Sequence, residues 1–344
     1  MRLLISGYYG AGNLGDEALL GGLLTALADT GVRVTVASLD PAATRASHGV
    51  ASVHRLHGLP VALLSHDAVV SGGGGLLQDT TSGRSLAYYL AVVTAARRLG
   101  RRVAVFGQSL GPLSQAGERR VRRALRGVPL GLRDAPSLAL AARLGLAAHG
   151  VADASLLLPR WPAADLDPGG PLALVPRAGH PTVTDLLAEV GRRRTVVGER
   201  LRVVLAHPDH DRHEGRRLVA MLGEAEMVAP RDVSELRRAL ATARAVVSGR
   251  LHGLILGAAA GVPVAGIAYD PKVAGFADEL AAPVVAVPAT GDAAGLATAS
   301  AMLNAFADRP TLDPAALAAL EERARDGVRW LLDDALHVAS SARS

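Results

Sequence analysis

The sequence predicts an α/β protein with two Rossmann-like domains, and three observations carry that expectation. Short apolar runs alternate with amphipathic segments, many of the runs end in glycine-rich or polar turns, and a proline-rich break divides the series in two. Short buried strands alternating with helix-length amphipathic segments imply βα units and a parallel sheet. At 344 residues there is room for two such domains, each with its own core.

In the first half, strands are predicted over 3–7, 32–38, 68–71, 103–107 and 131–133, and helices over 16–27, 85–99, 118–125 and 137–144. Four prolines and two adjacent glycines within 159–171 read as a linker. A second series follows, with strands over 172–175, 201–206, 225–228, 245–247, 264–268 and 284–287. Its helices are predicted over 183–191, 214–222, 233–243 and 252–259, and the tail over 314–339 is one or two helices. The expected domains are 1–160, 171–312 and a helical tail, 313–344, packing back on the first.

Composition narrows the function. Cysteine is absent, which excludes disulfides, thiolate metal sites and a cysteine nucleophile. Aromatics are only 3%, which argues against base-stacking platforms; with no recognition-helix motif either, nucleic acid is not an expected partner. The apolar run after Met1 is too short for a signal peptide and no apolar stretch reaches membrane-span length, so a cytoplasmic protein is expected. A formal charge of +5 suits anionic substrates or an anionic membrane surface, although the arginines are scattered and single out no patch. Of 37 basic residues, 36 are Arg and one, Lys272, is Lys. Against that background Lys272 marks either a place that needs a compact ammonium or a chance survivor on a loop.

Four motifs bear chemistry. The first, over 7–17, holds four glycines, Asn13 and Asp16 between a strand and a helix, where backbone amides and the helix N-terminus favour an anion. Asp16 reads as a helix cap before it reads as a base or hydroxyl-binding carboxylate. The second, over 71–79, places Gly73 and Gly74 in a run of glycines after a buried strand, with Gln78 shortly beyond it, either a ligand loop or a tight turn, and Gln108 repeats the strand-to-polar-turn pattern. In the third, Arg133 at a strand end is a phosphate or carboxylate clamp or a surface partner of Asp134, while Asp134 and Ser137 suit the cap of the next helix. The fourth, Ser-Gly-Arg-Leu-His-Gly-Leu over 248–254, sets Arg250 beside His252. An extended backbone would point both side chains to one face, an anion anchor next to a proton carrier. Lys272 follows on a turn after the next strand, and 207–213, rich in His and Asp, reads as a polar loop without metal-ligand spacing.

Together these motifs resemble the polysaccharide pyruvyl transferase family, in its CsaB-type cell-surface-anchoring branch. The matching stretches are GYYGAGNLGDEALL, SGGGGLLQD, FGQSLGPL, LRDAPS, ADASLLL and SGRLHGLILGAAAGVPVAGIAYDPKVAGFADEL, in order along nearly the whole chain. The segment over 173–217 matches least. The resemblance implies a GT-B-like pair of domains facing a cleft, with acceptor loops and Arg133 in the first and the donor site in the second. It implies transfer of the enolpyruvyl group of phosphoenolpyruvate onto a hexose, ManNAc of a lipid-linked secondary cell-wall polymer precursor, as a cyclic ketal recognised by S-layer proteins. No cofactor or metal is needed, and peripheral contact at the inner membrane face is left open. On this reading Arg133, Arg250 and Lys272 bind phosphoenolpyruvate and His252 is the general acid/base. Asp16 and Asn13 are the weaker candidates, for acceptor hydroxyls. The rival readings are a GT-B glycosyltransferase with a nucleotide-sugar donor and a non-catalytic module that binds anionic lipid.

Overall fold

The computed structural model describes residues 1–80, 83–289 and 292–338. The chain divides into two compact units, Met1–Leu158 with the C-terminal segment from Glu321, and Pro159–Leu320.

Seven strands build the first unit: β1 (Arg2–Ser6), β2 (Arg33–Ser38), β3 (Ala51–His54), β4 (Ala68–Ser71), β5 (Arg102–Gln108), β6 (Leu130–Leu132) and β7 (Ala148–Gly150). Between them run α1 (Leu14–Leu27), α2 (Pro41–His48), α3 (Leu59–Ser65), α4 (Gly83–Arg98), α5 (Gln115–Leu125) and α6 (Ala135–Arg143). A 3₁₀ turn, Ala154–Leu157, follows. The sheet is parallel throughout, in the order β3-β2-β1-β4-β5-β6-β7. Its strands are apolar on both faces, as a sheet covered on two sides requires. Leu4, Val69, Val105 and Leu130 pack under α3, α4 and α5. The alternate residues Leu3, Ile5, Val70 and Phe106 pack under α1 and the C-terminal segment with Val328 and Leu331.

The second unit repeats the plan with β8 (Leu172–Val175), β9 (Leu201–Val204), β10 (Glu226–Val228), β11 (Ala245–Ser248), β12 (Val264–Ala268) and β13 (Val284–Ala286). Its helices are α7 (Pro181–Val196), α8 (Pro208–Leu222), α9 (Val233–Ala241), α10 (Leu251–Ala259), α11 (Pro271–Glu279) and α12 (Ala293–Asp308). The chain continues through α13 (Pro314–Trp330) into a π-helical turn, Leu331–Ala335; Ala339, at the end of the predicted tail, lies outside the described residues. The order β10-β9-β8-β11-β12-β13 is again wholly parallel. Each unit is therefore a doubly wound Rossmann-like sheet, the expected fold class, with a reversal of winding between β1 and β4 and between β8 and β11.

Several local expectations are corrected. Strands β3 and β7 went unpredicted because they are short and partly exposed edges, with little apolar signal to read. Residues 208–213 are not loop but the first turns of α8: Pro208 takes the position where a missing N–H costs nothing, and Asp209 and Asp211 face the positive helix end. Lys272 likewise lies in the first turn of α11, capped by Asp270, whose side chain accepts the Lys272 amide at 3.1 Å. Helix α12 was also missed; its window is rich in small Ala residues and carries little amphipathic contrast.

Packing reverses an expectation from helix propensity at Gly22, in the middle of α1. Alanine there would favour the helix by about 1 kcal/mol. A Cβ at Gly22 would, however, overlap the Ala154 carbonyl in the 3₁₀ turn that crosses α1. Gly22→Ala is therefore expected to destabilise by about 1–3 kcal/mol, read as a lower urea midpoint with unchanged slope.

Candidate functional site

In a doubly wound sheet, ligand loops sit outside the carboxyl ends of the strands where the winding reverses. The loop over 7–13 leaves β1, the glycine run over 72–75 leaves β4, and the segment 249–252 leaves β11. Arg133 follows β6, and Lys272 follows β12.

In the first unit the N-cap of α1 is Asn13, whose Oδ1 accepts the Gly15 amide at 3.2 Å. This corrects the cap reading of Asp16, which lies buried in the first turn. Asp16 Oδ1 accepts the Gly74 amide at 3.2 Å, and Oδ2 accepts from the Asn13 side chain. The carboxylate thus ties the loop after β1 to the loop after β4. Gly73 has φ +96°, a conformation natural only to glycine, and a Cβ on Gly74 would stand 3.0 Å from Asp16 Oδ1 and 3.5 Å from Arg133 Nη2. Gln108 is fully buried, donating from Nε2 to Ser71 Oγ at 2.9 Å and to the Gly72 carbonyl at 3.2 Å. Gln78 is half-buried and accepts the Thr80 hydroxyl at 2.7 Å. Burial, and after it the Asp16 and Glu17 carboxylates, push the Tyr9 phenol well above its usual pKa.

Arg133 is not the surface partner of Asp134. It is buried, with Nη1 donating to Asp153 Oδ2 at 2.6 Å and Nε to Ser109 Oγ at 3.0 Å. Asp134 instead caps α6 through the Ser137 amide at 2.8 Å. Asn13, Asp16, Gly74 and Arg133 therefore form one cluster, held by the carboxylate of Asp16 on one side and that of Asp153 on the other.

The second unit gathers cations. Arg250 is the N-cap of α10, and His252 is the second residue of that helix. The extended backbone that would have aligned them stops at Arg250, which corrects the strand-alternation argument; they sit instead around one helix N-terminus, where the Arg250 side chain makes no cap and Ser248 Oγ accepts the Arg250 amide at 2.9 Å. Arg250 makes a two-pronged ion pair with Asp211, Nε to Oδ2 at 2.9 Å and Nη2 to Oδ1. Asp211 is fully buried and also accepts the Ala178 amide at 3.0 Å and the His207 amide at 3.1 Å, so it links the ends of β8, β9 and β11. Lys272 Nζ lies 3.0 Å from Asp270 Oδ2, both half-buried.

Two further residues belong here. Arg177, just after β8, donates from Nε to the Tyr269 hydroxyl at 3.2 Å and stands over the Tyr269 ring, 5.6 Å from its centroid. His180 packs on the same ring with centroids 4.2 Å apart. Burial lowers the His180 pKa, and Arg177, Arg250 and Lys272 lower it further against the opposing pull of Asp270. Arg177, Arg250 and Lys272 thus all act on one imidazole; with Asp211 and Asp270 paired to two of them, the five side chains keep a formal charge of +1, which favours an anion. Arg177 and His180 were missed from sequence because they lie in the stretch that resembles the family least. The available signal was the one applied to Arg133, an Arg directly after a buried strand.

His207, the residue before α8, is buried against His210 with ring centroids 4.1 Å apart. Burial, then Arg250, lowers its pKa from 6.5 to about 4. The unfolded chain therefore takes up this proton first as pH falls. The contribution of His207 to stability is complete above its unfolded pKa of 6.5 and is lost as pH drops toward 4. Unfolding midpoints followed between those limits should fall with acidification, by at most about 1.4 kcal/mol per pH unit from this group, and less steeply in His207→Gln.

Among the described residues no group of three His, Asp or Glu side chains gathers as a metal-binding set, and no helix is long and apolar enough to cross a membrane.

A family model described as polysaccharide pyruvyl transferase matches residues 13–271, about three quarters of the chain. No curated protein matches the sequence. Among solved structures, the Staphylococcus aureus MnaA–UDP complex superposes with a TM-score of 0.66 at 12% identity, covering 100% of this chain and 99% of the other. The UDP-GlcNAc 2-epimerase of Neisseria meningitidis, bound to UDP-GlcNAc, gives 0.61 at 10% identity, covering 96% and 98%. A glycosyltransferase of Rickettsia africae gives 0.58 at 11% identity, covering 95% and 93%. At such identities the likeness is one of fold alone.

Proposed function

Because the chain belongs to the polysaccharide pyruvyl transferase family, we propose that it moves the enolpyruvyl group of phosphoenolpyruvate onto two hydroxyls of a hexose. The observation that carries the donor assignment is the convergence of Arg177, Arg250 and Lys272 on His180 at the strand ends of the second unit. Phosphoenolpyruvate bears a phosphate and a carboxylate, and a helix N-terminus among cations, with no cap from the Arg250 side chain, suits both charges. Arg250, held from behind by Asp211, is assigned to one anionic group, and Lys272, with Arg177, to the other.

In the proposed reaction His252 gives a proton to the methylene carbon of phosphoenolpyruvate, leaving a cationic centre at the neighbouring carbon. One sugar hydroxyl attacks that carbon, and the phosphate leaves with that hydroxyl's proton. The second hydroxyl then closes the ketal, and its proton returns to the base. The products are the cyclic pyruvate ketal and inorganic phosphate. Asn13 and Asp16 are proposed for acceptor hydroxyls. Arg133, paired with Asp153 as Arg250 is with Asp211 and Lys272 with Asp270, has the most deeply buried side chain of the three and is better suited to positioning the glycine loop than to meeting a ligand. The ordered motifs support the cell-surface-anchoring branch, with a lipid-linked ManNAc-containing acceptor of a secondary cell-wall polymer.

The test is thermal unfolding with phosphoenolpyruvate, UDP or UDP-GlcNAc. A ligand of the folded state raises the midpoint as its concentration passes the dissociation constant. Phosphoenolpyruvate alone is expected to do so. In Lys272→Ala its Michaelis constant should rise about 10- to 100-fold, the loss of one charge-assisted contact. Stabilisation by the uridine ligands and not by phosphoenolpyruvate would replace this reading with a nucleotide-sugar glycosyltransferase.

A further inference from the structure

Helices α3, α4 and α5 all cover the same face of the first sheet, through Leu59 and Leu63, Leu86 and Leu90, and Val121 and Leu125. Their shared side follows from right-handed crossovers: the connections entering β4, β5 and β6 all progress in one direction across the sheet. The outer surface of this layer has an unusual charge. Segments 55–65, 83–101 and 115–127 hold ten arginines and one acid, Glu118. That acid is paired with Arg143 at 3.0 Å. The three segments therefore carry a formal +9 in a chain whose total is +5, leaving −4 for all the rest. Read linearly, the arginines are scattered through the sequence; the fold assembles them on one face.

Aliphatic side chains are exposed on the same layer. Val61 is 69% exposed, Leu64 61% and Leu56 52%. Between α4 and α5 runs a groove floored by Leu90, Ala91, Ala95 and Ala124 and rimmed by Arg97, Arg98, Arg120 and Arg123. Of these rim residues, Arg97 donates to the Ala124 carbonyl at 3.1 Å, and Arg120 acts on the Asp79 carboxylate.

We propose that the α3–α4–α5 face of the first unit docks the protein on an anionic lipid bilayer. Guanidinium groups at the rim meet lipid phosphates, each contributing on the order of a fivefold gain in partitioning, while Val61 and Leu64 enter the interfacial layer. Charge complementarity selects an anionic partner. The exposed aliphatics select a bilayer over nucleic acid, for which stacking rings or polar base contacts would be needed. The aromatic rings carried by α4 do not serve that purpose, since Tyr89 is buried and Tyr88 is half-buried, its hydroxyl donating to the Arg55 carbonyl at 2.8 Å. This proposal does not depend on the identity of the donor substrate.

The test is co-sedimentation of the full chain with vesicles of phosphatidylcholine alone and of phosphatidylcholine mixed with phosphatidylglycerol, at low and high salt. Binding is expected to the mixed vesicles only, weakened by salt. Arg98→Glu/Arg123→Glu should lower the partition coefficient by about 25-fold or more. Val61→Ser/Leu64→Ser should lower what binding survives at high salt. Arg119→Gln/Arg122→Gln, at exposed positions of α5, is a milder second variant, and unchanged unfolding midpoints verify folding. Equal binding to neutral vesicles, no binding to either, or charge variants that bind like the wild type would overturn the proposal. Retention of a short DNA duplex without vesicle binding would overturn it in favour of a nucleic-acid surface.

Discussion

His252→Ala is expected to lower kcat by about 10²- to 10⁴-fold, the usual contribution of a positioned proton carrier. Phosphoenolpyruvate binding should change far less, because the charges assigned to it belong to Arg177, Arg250 and Lys272. His252 is half-buried at the start of α10, and the side chain of Arg250, two residues earlier, is anchored by Asp211. Removing the imidazole should therefore leave the anchor in place. Single-turnover release of phosphate, with the donor saturating, separates the two effects. A near-normal rate would remove His252 from the chemistry. It would shift the role to His180, whose lowered pKa keeps it neutral at pH 7 and suits a base better than an acid. The pH profile of kcat in His180→Gln distinguishes the two, since loss of an essential base removes the acid-side limb.

Asp211→Ala carries the largest expected cost in stability. The carboxylate is fully buried and serves the Ala178 and His207 amides as well as Arg250. Taking it away leaves a mostly buried guanidinium and two amides without their acceptor. Breaking one side of a buried pair costs about 3–5 kcal/mol, and more than about 1 kcal/mol is expected for each unsatisfied amide. Denaturant unfolding should show a loss at the upper end of this range. Asp211→Asn keeps the shape and one acceptor oxygen and should recover part of it. If the Asp211 pair positions Arg250, both variants should also raise the Michaelis constant for phosphoenolpyruvate. A loss of stability with unchanged kinetics would make the pair purely structural.

The strands that carry the candidate site were legible because each is an apolar run closed by a turn of glycine, proline or polar residues. Those that were missed, β3 and β7, are short edges with half-exposed side chains. The glycine loops were legible for a similar reason, since a run such as 72–75 contributes little to packing and is explained by backbone conformation. Partners were not legible. Arg133 stands next to Asp134 in sequence yet pairs with Asp153, and Arg250 pairs with Asp211, 39 residues away. Asp16 has the composition of a cap, but Asn13 takes that place and frees Asp16 to hold Gly74.

By itself, then, the sequence determined the two α/β series, the strand ends where chemistry gathers and the family, because hydrophobic period and turn composition are local properties of the chain. The tertiary structure decided which charges are neutralised and which remain available. Parallel pairing brings residues dozens of positions apart to one sheet edge, where burial and a few ångströms set their electrostatics. It also decided that the arginines of α4 and α5 share a face with the exposed aliphatics of α3, since the handedness of the crossovers, which no single segment encodes, placed those helices together.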